Sequence, residues 1–84
     1  MVKVNIPAKV LAVFEPGHCP VPYKVKVRDQ HQNEFLLYVD LVSHIDTRAR
    51  SAIVYDCVSF YEDHEKHFQL IYYIGRYQWS LLGI

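Results

Sequence analysis

Residues 23–28 read Tyr-Lys-Val-Lys-Val-Arg, an unbroken two-residue alternation of apolar and basic side chains. An extended strand is the arrangement that puts Tyr23, Val25 and Val27 on one face and Lys24, Lys26 and Arg28 on the other. The same period recurs over 35–42, where Phe35, Leu37, Val39 and Leu41 share a face. The polar run Asp29-Gln30-His31-Gln32-Asn33-Glu34 between them reads as a hairpin loop, and both strands carry their apolar faces on odd positions. Both can therefore address one core across an antiparallel pair.

Four more stretches of strand length follow the same logic. Val10, Ala12 and Phe14 form the inward face of a first strand. Over 52–61 both faces are largely apolar; a buried, unpaired Asp56 would be expensive, so Asp56 is expected to face out and Ile53, Tyr55, Cys57 and Tyr61 in. Residues 67–74 bury Phe68, Leu70, Tyr72 and Ile74. Gly75 then permits a tight bend, and 76–82 bury Tyr77, Trp79 and Leu81. No stretch shows a convincing 3.6-residue spacing, although a single helical turn near Ser43–Arg50 stays open. Six short strands in 84 residues leave edges to hide unless the sheet closes. The expectation is one all-β domain spanning 1–84, a six-stranded, mostly antiparallel SH3-like or OB-like barrel, with a two-layer sandwich as the alternative.

Nine basic and nine acidic residues balance, which argues against a dedicated duplex-DNA binder. The balance is uneven, because the first 28 residues hold Lys3, Lys9, Lys24, Lys26 and Arg28 against Glu15 alone. The start of the chain lacks the apolar stretch of a signal peptide, and no apolar run approaches a membrane span. These features predict a cytoplasmic protein without membrane association, in which Cys19 and Cys57 are free thiols rather than a disulfide.

Residue clusters that resemble catalytic or metal sites have simpler readings. Glu62-Asp63-His64-Glu65-Lys66-His67 has the letters of a metal site but not the spacing, and reads as a solvated hairpin tip. Ser43, His44 and Asp46 are too close along the chain to converge as a triad, and suit a turn or cap. His18-Cys19 lies between prolines in a rigid loop, with no charge to activate the thiol. No glycine-rich phosphate cradle occurs. No enzyme, metal or cofactor is expected.

Two surfaces are candidates for contact. Lys24, Lys26 and Arg28, beside Leu36, Tyr38, Asp40 and Val42 on the outer face of the neighbouring strand, could hold single-stranded nucleic acid by charge and base stacking, with Tyr38 as the platform. The simpler reading pairs the lysines with Asp40 and lays them over Tyr38. The stronger surface is apolar: Val54, Val58, Phe60, Ile71 and Tyr73 remain outside once the inward faces are assigned. Such a patch suits contact with a second copy or another protein, unless another segment of the chain covers it.

The order Val13-Phe14, Gly17, Pro22, Val39, Val42, Tyr55-x-Cys57, Leu70 and Trp79-x-Leu81 resembles a family of small bacterial β-rich proteins without an established activity. The resemblance runs from about residue 8 to residue 82. Val54 and Gln78 stand where that family carries arginines before the Tyr and the Trp. It implies a compact barrel with Tyr55, Cys57 and Trp79 in the core, and no catalytic residues. The leading expectation is a non-enzymatic, self-associating or protein-binding module; a nucleic-acid-binding barrel is the alternative.

Overall fold

A computed structural model describes residues 6–28 and 31–82. The reading of the N-terminal segment and two residues of the 29–34 loop, Asp29 and Gln30, lie outside the described residues. Seven strands follow in chain order: β1 (Ile6–Val13), β2 (Val21–Arg28), β3 (Glu34–Tyr38), β4 (Leu41–Asp46), β5 (Ala52–Tyr61), β6 (His64–Tyr73) and β7 (Gln78–Leu82). They form one curled, antiparallel sheet in the order β3-β2-β1-β7-β6-β5-β4, a half-barrel with no helix among the described residues.

The strand count is seven, not six, and the extra strand has a simple origin. Antiparallel neighbours alternate in direction, so tracing the sheet through the β1–β7 pair leaves β3 and β4 running the same way. They are two halves of one long strand, bent at Val39-Asp40. The first half pairs with β2 at one end of the sheet, and the second pairs with β5 at the other. The bend shifts the alternation: Val39 packs against the core, Leu41 is exposed, and Val42 turns inward. This corrects the expectation of one strand over 35–42 with Leu41 inside and Val42 outside. It also replaces the open helical turn at 43–50 with β4 and a short loop.

Side chains meet on the concave face in rows across the strands. One row is Tyr72, Trp79, Ala8, Val27 and Phe35; another is Val10, Val25 and Leu37. Ala8 leaves room for the indole beside it. Trp79 lies 4.8 Å from Tyr72 and 5.5 Å from Tyr55, ring centre to ring centre. Tyr55 is fully buried, and its hydroxyl donates to the Pro20 carbonyl, which ties the 14–20 loop over the end of the barrel. That loop turns at Glu15-Pro16-Gly17-His18, with Pro16 presetting one φ and Gly17 supplying a positive one (80°), closed by His18 N–H on the Glu15 carbonyl at 3.1 Å.

Several inward assignments fail for local reasons. Tyr23 is exposed because a register shift between Leu11 and Ala12 makes Ala12 face Pro22, so Pro22 takes the buried place. Phe14 lies just past β1 and is largely exposed, although its ring meets Tyr72 edge-on at 6.1 Å. Tyr61 sits at the β5–β6 hairpin tip, past the core. Ile74 and Tyr77 fall in a four-residue turn, where Tyr77 has φ 53° and is almost wholly exposed. The left-handed position of that bend belongs to Tyr77, not Gly75.

Cys19 is half-buried, Cys57 is buried, and both are free. Burial, and then the charge of Asp56, push the Cys57 thiol from an ordinary 9.0 up to about 12. A brief alkylation of the native protein at pH 8 should therefore leave Cys57 unlabelled, and labelling after denaturation should add it, as read by mass spectrometry. Rapid native labelling of Cys57 would contradict its place in the core.

Candidate interaction surface

A curled sheet that does not close has two free edges, and these two differ. β4 is blunted along its length. Its register slips between Val42 and His44, the Ser43 hydroxyl donates to the Asp56 carbonyl at 3.2 Å, and the strand ends on an Asp46–Arg48 ion pair. The Arg48 guanidinium holds the Asp46 carboxyl well below the usual carboxylate range. Bulges and charges of this kind discourage pairing with another strand.

β3 carries no bulge, and its ion-paired residue, Glu34, stands at its first position. Val39 N–H donates to the Tyr23 carbonyl at 2.9 Å, so by alternation Phe35 and Leu37 point their backbone groups at β2. The N–H and C=O groups of Leu36 and Tyr38 then face away from β2, along the open edge. Opposite lies the upper half of β5, beyond the reach of β4. Asp40 bridges the two: its N–H donates to the Val58 carbonyl at 3.0 Å, and its carboxylate accepts from Phe60 N–H at 2.7 Å. Past that bridge the strands leave a groove of roughly 650 Å³, lined by Phe35–Tyr38, Ser59–Tyr61, His64 and Lys66. Leu36, Tyr38, Phe60 and Tyr61 are 45–70% exposed along it.

No family model, curated protein or solved structure matches this chain.

Of the apolar patch expected from the sequence, only Phe60 is prominent. Val58 is 4% exposed, between Leu41 and His67 across the sheet, which removes it from any contact surface. Val54, Ile71 and Tyr73 are half-buried, and Arg76 lies over the Tyr73 ring at 5.6 Å. Asp56 faces out as expected, but not alone. Its carboxylate accepts from the Gln69 amide at 2.7 Å, and this polar pair separates Val54 and Ile71 from Phe60.

The basic row is where the alternation placed it. Lys24 lies opposite Tyr38, with its ammonium 5.3 Å from the ring centre, and Lys26 lies opposite Leu36. The carboxylate that answers the row is Glu34 rather than Asp40. Glu34 accepts from Arg28 and pairs with Lys26 at 3.0 Å. The hydrogen bond from Arg28, then that from Lys26, draws its carboxyl down to about 2. Lys9 joins the row opposite Lys26, and a hollow of about 320 Å³ opens among Lys9, Lys26, Arg28 and Glu34.

The remaining motifs disperse. Glu62 and Asp63 form a two-residue hairpin turn in solvent, with Glu62 at φ 54°. No three His, Cys, Asp or Glu side chains converge among the described residues. Sequence reasoning singled out Tyr38 and Phe60 on separate grounds and missed that they border one groove. It missed Tyr61, His64 and Lys66 because the β5–β6 tip reads as a plain charged turn until β3 is placed across from it.

Proposed function

We propose that this chain is a non-enzymatic protein-interaction module that holds a segment of another protein in the groove between β3 and β5. The observation that carries this reading is the edge of β3, open at Leu36 and Tyr38, beside exposed Leu36, Tyr38, Phe60 and Tyr61. Sheet edges of that kind are otherwise blunted, as β4 is. A cytoplasmic setting belongs to the same reading. No described helix is long and apolar enough to cross a membrane.

The test is selection of a displayed library of random nonapeptides on the immobilised domain, with Phe60→Asp as the counter-target. Phe60 is about half exposed, faces Glu65 across the ladder and adjoins the Asp40 bridge, so Phe60→Asp should cost about 1–2 kcal/mol, keep the fold, and abolish enrichment. Failure to enrich any peptide on the wild-type domain counts against the reading. Solution mass by light scattering at two concentrations adds the self-association arm. A dimer that Phe60→Asp splits would make a second copy the occupant.

A second reading, single-stranded nucleic acid on Lys24, Lys26, Arg28 and Tyr38, draws on the Lys24–Tyr38 contact and on Lys9 beside Lys26. Glu34 opposes it by engaging two of the four cations. Salt-sensitive oligonucleotide binding, weakened by Lys26→Glu, would favour it over the groove.

A further inference from the structure

Resting on the groove reading, we propose that the occupant is an extended peptide strand that adds to the open edge of β3 and carries a carboxylate that meets Lys66. Three observations converge on it. The backbone groups of Leu36 and Tyr38 face the groove in strand geometry, and four residues paired along Phe35–Tyr38 span about 13 Å. Main-chain bonding of this kind recognises an extended backbone, whatever its sequence.

The groove walls supply the selectivity. Alternate side chains of the added strand point to opposite faces. One set meets Phe35, Leu37 and Ser59 on the concave side, and the other lies beside Leu36, Tyr38 and Phe60, so both favour apolar residues. Lys66 stands at the β5–β6 end of the lining with the His64 imidazole, while the neighbouring carboxylates are engaged, Asp40 by Phe60 N–H and Glu65 by His67. Lys66 is the lysine that lines the groove, and it forms no ion pair among the described residues. A free cation at one end of an apolar groove selects an acidic side chain.

The experiment takes the nonapeptides enriched above and measures three quantities. Enriched sequences should alternate apolar residues and carry an acid, and replacing that acid by lysine should weaken binding about fivefold, the upper end for an exposed ion pair. Lys66→Glu should reverse that preference. Amide exchange at Leu36 and Tyr38 should slow by about tenfold or more on peptide binding, because the added strand takes up those N–H groups. Leu36→Pro removes one of them without touching the β2 ladder, and should abolish binding.

Enriched peptides that are acid-indifferent, or that leave both amides exchanging as before, overturn the strand-addition inference while the groove reading stands. An absence of enriched peptides overturns both. Concentration-dependent protection of the two amides without peptide would assign the edge to a second copy and overturn the inference. Should Leu36→Pro fail to fold, the exchange data and Lys66→Glu still decide.

Discussion

Trp79→Ala is expected to lower the unfolding free energy by about 3–5 kcal/mol, the range for deleting a buried large aromatic. A chain of this length holds roughly 4–12 kcal/mol in total, so the variant should range from largely unfolded to well folded at room temperature, according to where the parent lies. The indole is 7% exposed and touches Tyr55 and Tyr72, and it fills the width that Ala8 leaves open. It also joins the two halves of the sheet, since β7 is the strand that pairs with β1. Urea denaturation followed by far-ultraviolet circular dichroism measures the loss, with Trp79→Phe as the milder comparison. A loss below about 1.5 kcal/mol would mean that the aromatic cluster repacks around the gap.

Tyr55→Phe should cost about 1–3 kcal/mol, because it removes one hydroxyl and leaves the Pro20 carbonyl without its donor. The effect should be local as well as global. Released from Tyr55, the 14–20 loop should expose Cys19 to faster alkylation, while Cys57 stays protected until unfolding.

Tyr55 also sets an alkaline limit. Burial, with Cys19 and Cys57 nearby, raises its hydroxyl above the ordinary 10.0, and Cys57 rises from 9.0 to about 12. Both groups stay neutral in the fold at pH values where the unfolded chain ionises. Their contribution to stability is therefore complete below about pH 9 and is lost as the pH climbs through about 12. Tyr55→Phe should flatten part of that alkaline decline in denaturation midpoints. A decline unchanged in shape would place its origin elsewhere.

The class of fold was legible because side-chain alternation is a direct consequence of strand geometry. Val25, Val27, Leu37, Ile53, Tyr55, Cys57, Phe68, Leu70, Tyr72, Trp79 and Leu81 are buried as their periods require. What escaped was every place where the alternation breaks. The register shift beside Tyr23, the bend at Val39-Asp40 and the turn at 74–77 each move a side chain to the other face. No composition signal marks the first two. The groove escaped for a different reason: it depends on which strands become neighbours, and periodicity carries no strand order. Phe60 and Tyr38 were visible as exposed aromatics, but their meeting across a seam was not. Lys66 looked like one charge in a solvated tip, since the absence of a partner is a property of three-dimensional placement.

The β1–β7 ladder has a consequence for how the chain finds this shape. Apart from that ladder and the Asp40 bridge, every strand pairing joins elements consecutive in sequence, so residues 6–38 and 41–82 can each zip up as a local meander. Among the described residues, the pairing of Ile6, Pro7 and Ala8 with Leu81, Ser80 and Trp79 has to wait for the distant halves to find each other, as do the Tyr55–Pro20 and Phe14–Tyr72 contacts. Closing so long a loop is entropically unfavourable, though the penalty grows only slowly with length. Most strand pairings thus join sequence neighbours, and one short registration beside Trp79 is what turns two meanders into a single curved sheet.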